Sequence, residues 1–197
     1  LSGQIPIFTI EFRFKHKNGS WIWVQGQGKI FERTEDGQPK RFIGTHTDIT
    51  ERVQAEEELR IKEKAIESSQ SAIVLANLDG ELTYVNKAFI DMWGYSNKSE
   101  VLGKQSVSFW ESQTKAQTVV DLSLKMGRWE GELTAKRKDE TTFITLVAAN
   151  LVEDKHGQPL LKMASFIDIS ERMGAVQALR RSEEKFNNLF EIMSEGV

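Results

Sequence analysis

The sequence predicts an α+β fold in which antiparallel strands alternate with helices. Three observations predict it: period-two alternation of apolar residues, Gly-bearing turns between the alternating runs, and one long segment with apolar residues at helical spacing. In chain order, Phe8, Ile10, Phe12 and Phe14 alternate with Thr9, Glu11 and Arg13, which marks a half-buried strand. "KHKNGS" is a turn, with Asn18-Gly19 suited to positive φ. "WIWVQGQGKIFER" reads as the return strand, "TEDGQP" as a second turn and "KRFIGTHTDI" as a third strand. A polar helix begins at Thr50. "SAIVLANLDGELTYVN" (residues 71–86) reads as a hairpin turning at Asp79-Gly80, and "KAFIDMWGYS" as a short helix. Residues 112–127 carry Val119, Leu122 and Met126 at helical spacing. "RWEGELTAKR", "TTFITLVAANLV" and "LLKMASFIDI" are three more strands, and a second polar helix starts at Ser170.

The three late strands repeat the three early ones. "THTDITERVQAEEELR" at residues 45–60 matches "SFIDISERMGAVQALR" at residues 165–180, with an offset of 120 residues from Asp48-Asp168 to Arg60-Arg180. "EFRFKHKNGSWIWV" resembles "ELTAKRKDETTFITL" at an offset of 121. The shared Gly-Gln-Pro restores the offset of 120. Such a period is a whole small domain rather than a solenoid repeat.

Bulk composition excludes several classes. With 39% hydrophobic and 28% charged residues the chain is globular rather than disordered. No apolar run approaches the roughly 20 residues of a membrane span, and no signal peptide is visible. A net charge of −3 gives no general attraction to nucleic acid or anionic lipid. The absence of cysteine excludes disulfides, thiolate metal sites and cysteine chemistry. A cytoplasmic setting is the expectation. The first residue is not Met, and a piece of a longer protein is expected.

The two junctions place Thr50 and Ser170 as N-caps of the polar helices. Asp48 and Arg52, and likewise Asp168 and Arg172, stand four apart, close enough to tie the end of the strand to the first helical turn. The helices then carry a 4,3,4,3,4 spacing: Ala55, Leu59, Lys62, Ile66, Ser69 and Ile73, then Ala175, Leu179, Ser182, Phe186, Leu189 and Met193. This is a heptad seam weakened by polar core positions, suited to self-association of helices that shift or rotate.

The element order, "YVNKAF" after the hairpin, "GYS" ahead of "VLG", and "DIT" or "DIS" followed by "ER" resemble PAS domains with their C-terminal PAC segment. The resemblance implies the PAS fold, a five-stranded antiparallel sheet with helices on one face and long linker helices. It implies residues 1–50 as the C-terminal half of a first domain, 51–70 as a linker helix and 71–171 as a complete second domain. Residues 172–197 would be an exit helix and the start of a third domain. It also implies a regulatory region of a bacterial or archaeal sensor histidine kinase or a related two-component signalling protein. Such a region passes a conformational change through its Asp-Ile-Thr and Asp-Ile-Ser junctions into the helices. The other domains of the parent are then partners, and membrane anchoring of the parent stays open.

PAS domains hold ligands between the sheet and the helices, and the residues expected there are Tyr84, Asn86, Phe89, Met92, Trp93, Trp110, Val119, Leu122, Met126, Trp129, Phe143 and Ile167. Cysteinyl-flavin chemistry is excluded by the missing cysteine, and haem on the long helix by the missing His. His16 and His156 fall in turns, and His46 corresponds to Phe166. Three occupancies stay open: a pocket filled by its own side chains, a small organic ligand, and a non-covalent flavin. The resemblance of Asn86 and Trp129 to redox flavin domains supports the last, against plain roles as helix cap and core filler. "KDETTF" departs from the usual Lys-Asp-Gly turn. No catalytic spacing is present, so the chain is expected to be regulatory and not an enzyme, with no nucleic-acid or membrane contact of its own. The apolar face of Phe8, Ile10, Phe12 and Phe14 is expected to be covered by a neighbouring chain or by the second module.

Overall fold

The computed structural model of the chain describes residues 7–195, with side chains through Phe186. It divides at Lys64 into two units. In the first, β1 (Phe8–Lys15), β2 (Trp21–Arg33) and β3 (Pro39–Asp48) form an antiparallel sheet in the order β1-β2-β3. α1 (Thr50–Glu67) follows and runs into the second unit. The register sets Phe8 beside Gly28 and Gly44, Ile10 beside Gly26 and His46, and Phe12 beside Val24 on one face. Glu11, Gln25 and Thr47 line up on the other face. The glycines make room for an aromatic ring: a Cβ at Gly28 would lie 2.3 Å from Phe42, which stacks on Phe8 at 5.1 Å. Ile10 and Phe14 are each 53% exposed.

In the second unit the order is β4 (Ala72–Ala76), β5 (Leu82–Val85), α2 (Lys87–Trp93) and two single 3-10 turns. α3 (Gln113–Met126), β6 (Arg128–Lys136), β7 (Thr142–Glu153), β8 (Pro159–Asp168) and α4 (Ser170–Glu195) complete it. The five strands form one antiparallel sheet in the order β5-β4-β8-β7-β6, as the PAS resemblance implies. Inward positions alternate along each strand. Ala72, Val74 and Ala76 on β4, Ala135 on β6, Phe143 and Val147 on β7 and Phe166 on β8 are all buried.

α2 and α3 cover that inner face. α2 drops Phe89, Ile90 and Trp93 into the core, where one stacked pair of rings is met edge-on by others. Phe89 lies on Trp93 at 4.3 Å, and Trp93 meets Phe143 at 5.1 Å and Phe166 at 5.2 Å. The indole N–H of Trp93 donates to the Phe109 carbonyl at 3.3 Å, so the one polar atom of this buried ring is satisfied.

The turn between β6 and β7 keeps the hydrogen bonds of the β1–β2 turn while replacing its glycine. His16 N–H donates to the Ser20 carbonyl and Gly19 N–H to the His16 carbonyl; Arg137 with Thr141 and Glu140 with Arg137 repeat both bonds. Gly19 has φ +90°, and Glu140, in its place, is held at φ +68°. An L-residue pays about 1–2 kcal/mol for that conformation. Glu140→Gly therefore raises stability by about 0.5–1 kcal/mol after allowing for unfolded-chain entropy and the exposed Lys136–Glu140 pair. A thermal melt reads this as a gain of roughly 2–8 °C.

α4 is helical through Glu195, and residues 196–197 lie outside the described part. The seam positions Ser69 and Ile73 fall beyond the end of α1, Ile73 within β4, because the chain leaves the helix after Glu67. Leu59, Ile66, Leu179 and Phe186 stand on α1 and α4 with 40–63% exposure. Leu189 and Met193 lie beyond the described side chains.

Candidate functional site

A cavity of about 80 Å³ lies between α3 and the inner face of the second sheet. Of the residues expected to line it, Phe89, Trp93, Trp110 and Val119 do. Leu122 and Met126 do not: they sit on the outward side of α3, and Met126 is 70% exposed. α3 instead presents Ala116, Val119, Val120 and Ser123, the i, i+3, i+4, i+7 set of a helix face. Ile167 is 50% exposed because strand alternation turns Phe166, not its neighbour, inward. Phe143 is buried in the core beside Trp93, outside the cavity wall. Met92 is half-buried against the same core. Sequence reasoning missed Val74, Leu82, Leu133, Val147, Ala164 and Lys162, all strand positions on the inward face of the sheet.

Asn86 is fully buried and does not face the cavity. Its Oδ1 accepts from the Phe89 N–H at 3.1 Å and the Ile73 N–H at 2.9 Å. Its Nδ2 donates to the carbonyls of Ile66 at 3.1 Å and Ser71 at 2.9 Å. One side chain thus caps α2 and holds the last turn of α1 and the start of β4, with all its hydrogen-bonding capacity used. Trp129 packs against the core from β6, its ring lying over Gly131, where a Cβ would approach it to 2.6 Å. Neither side chain on which the flavin expectation rested faces the cavity. The cavity is also about half the roughly 150 Å³ that houses a single benzene ring in an engineered protein. The residues present do not fit a three-ring flavin.

Tyr84 lies at the incoming end of this unit. Its hydroxyl donates to Glu67 Oε2 at 2.9 Å, and Lys98 Nζ donates to the same oxygen at 2.8 Å. Lys98 also sits over the Tyr84 ring at 4.9 Å. The Lys98 ammonium, followed by the Tyr84 hydroxyl, holds the Glu67 carboxyl below its usual range, against the opposing effect of its desolvation.

Both strand-to-helix junctions have the same geometry. The Ile49 N–H donates to the Trp23 carbonyl at 2.9 Å, and Thr50 Oγ1 accepts from the Trp23 N–H at 2.9 Å. Ile169 and Ser170 repeat both bonds on Ile144, each also at 2.9 Å. Asp48 and Asp168 each accept from the N–H two residues on, that of Thr50 or Ser170, at 2.9 Å. The first helical bonds run from Val53 to Ile49 and from Met173 to Ile169. This corrects the capping expectation: the hydroxyls of Thr50 and Ser170 pin each helix to a neighbouring strand, β2 in the first sheet and β7 in the second, instead of capping its first turn.

The Asp–Arg pairs expected at the junctions do not form. Each Asp is turned back onto the N–H of the residue two ahead, away from the arginine four ahead. Arg52 reaches Glu11 on β1 at 2.6 Å and Glu56 at 3.0 Å instead. Asp168 pairs with Arg137 at 3.0 Å, and Arg172 takes no part in the ion pairs among the described residues. Arg137 Nε also donates to the Met92 carbonyl at 2.9 Å, and its guanidinium lies 4.1 Å from the Phe143 ring centroid. It therefore touches the end of α2, the core and the junction at once.

Among the described residues no cluster of His, Asp or Glu could hold a metal ion, and no helix is long and apolar enough to cross a membrane. The family description "PAS domain" matches residues 70–171, just over half of the chain, and "PAS fold" matches residues 1–46. Sporulation kinase A of Bacillus subtilis is 26% identical over 205 residues, which cover 91% of this chain and 33% of that protein. The chain thus spans about a third of the length of this relative. Among solved structures, the PAS domain of a Colwellia psychrerythraea protein aligns with a TM-score of 0.54 at 22% identity, covering 58% of this chain and 98% of that one. An RNA-binding light-oxygen-voltage receptor aligns with a TM-score of 0.55 at 11% identity, covering 91% of this chain and 82% of that one. At these identities the structural likenesses show the fold alone.

Proposed function

Since the chain belongs to the PAS domain family, we propose that this sensory module relays the state of its cavity through Asp168, Ile169 and Ser170 into α4. The observation that carries the reading is Arg137, which bonds the Met92 carbonyl of the cavity helix and the Asp168 carboxylate of the junction. A change in the angle of α2 would be felt at the first turn of α4 through one rigid guanidinium. On this reading the Thr50 junction passes a similar signal into α1. Asn86, Tyr84 and Lys98 receive the end of that helix.

The same proposal assigns residues 1–50 to the end of one PAS domain, 51–70 to a linker, 71–171 to a complete domain and 172–197 to an exit helix leading to a further domain. The likeness to a sporulation kinase supports a kinase or related two-component protein as the parent and a regulatory, non-catalytic role for this region. Leu59 and Ile66 on α1, and Leu179 and Phe186 on α4, support self-association through these helices. A cytoplasmic location fits this reading. A second reading, a ligand-free dimerisation module, rests on the same exposed seam.

Arg137→Gln tests the relay. Amide hydrogen exchange in the first turn of α4 rises about tenfold, equivalent to roughly 1.4 kcal/mol, while the first turn of α1 is unchanged. Unaltered exchange in α4 would remove Arg137 from the path.

A further inference from the structure

Lys162 is out of character with the wall it belongs to. On β8 it shares the inward phase of Ala164 and Phe166, and it pairs with Ala76 of β4, which is 4% exposed. It lines the cavity beside Val119, Val120 and Leu133. The architecture does not demand a lysine there. At the offset of 120 the other sheet has Phe42, whose ring packs over Gly28 and Gly44.

Among the described residues Lys162 makes no side-chain hydrogen bond and no ion pair. The charges that act on it are those of Asp79, in the β4–β5 turn, and Asp121, on α3. Asp121 accepts from Gln117 at 2.9 Å, and neither carboxylate closes onto the ammonium. Desolvation by the cavity wall pulls the Lys162 ammonium below its ordinary lysine range, and the two carboxylates offset this only in part. A half-buried ammonium at an apolar cavity is stabilised by an anion that enters with it.

The geometry points to a small carboxylic acid as the ligand of this cavity, its carboxylate on Lys162 and its aliphatic body against Val119, Val120, Leu133 and Ala164. The inference rests on the reading of the cavity as a sensory pocket and adds its ligand class. The volume of about 80 Å³ holds on the order of three non-hydrogen atoms by the same comparison with benzene, so acids of about five to seven such atoms enter only as α3 yields. Ser106 and Ser123 supply further polar atoms on the wall, although the Ser123 hydroxyl already donates to the Val120 carbonyl at 2.8 Å.

The test is an amide-shift NMR titration of the full chain at pH 7 with propionate, isobutyrate and pivalate, and in parallel with propionamide, isobutyramide and pivalamide. The amides match the acids in shape and lack the charge. The expected result is saturable shifts at Val119, Val120 and Ala164, with at least one acid binding tenfold or more tighter than its amide. Lys162→Met abolishes that preference and Lys162→Arg retains it. Equal binding of acid and amide by the wild-type chain, or a preference that survives in Lys162→Met, overturns the proposal and leaves the cavity a neutral pocket. Lys162 is then an amphipathic side chain extended to solvent. Absence of binding by every acid and every amide overturns both the proposal and the ligand reading of the cavity.

Discussion

Trp93→Ala lowers the melting temperature of the second unit by at least roughly 12 °C. The side chain has no solvent exposure and touches Phe89, Trp110, Phe143 and Phe166, so its removal leaves a hole between α2 and the sheet. Truncating a buried Trp costs about 3–5 kcal/mol, and each kcal/mol moves the midpoint of a domain this size by about 4–8 °C. The loss also frees the Phe109 carbonyl that accepts the indole N–H. Differential scanning calorimetry reads the effect. Trp93→Phe retains most of the ring contacts and falls between the two. A loss below about 1 kcal/mol would mean that the aromatic stack is not the keystone of the fold.

The second large effect is Asn86→Ala, at about 3–4 kcal/mol. Loss of an N-cap accounts for about 1 kcal/mol, and the Ile73 N–H and the Ile66 and Ser71 carbonyls lose a partner in a buried place. Because the same side chain holds the end of α1, exchange should rise at residues 64–67 as well as in α2. This outcome separates a structural role from a cofactor contact. A cofactor role predicts a normally stable protein that has lost a chromophore. A cap predicts an unstable protein whose absorption above 300 nm does not differ from wild type.

The strands were legible because their signal is local. Alternation at Phe8–Phe14, the Asn18-Gly19 and Asp79-Gly80 turns and the duplicated junction survive without knowledge of any contact. The cap at Asn86 was legible for the same reason, since it depends on a helix that begins at the next residue. The cavity wall was only half legible. Val119 was found by helical spacing, but the phase of α3 against the sheet, which separates Val119 and Ser123 from Leu122 and Met126, is set by tertiary packing. Ile167 was chosen over Phe166 because both are apolar, and only the register with Ala72 decides which one turns inward. Lys162 was invisible because a charged residue in an otherwise apolar strand reads as an outward position. The Asp–Arg pairs failed because spacing alone does not reveal that a carboxylate two residues from a helix start is taken by a backbone N–H.

Val120→Phe fills the cavity from α3 without touching Arg137, Asp168 or Ser170. Hydrogen exchange of α4 in this variant, with and without Arg137→Gln, tests most directly whether the cavity and the exit helix are coupled. The account predicts a change of severalfold, about 0.5–2 kcal/mol, in the first two turns of α4, and its disappearance when Arg137→Gln is added. A folded Val120→Phe protein with wild-type exchange in α4, or the same change in both backgrounds, would contradict it.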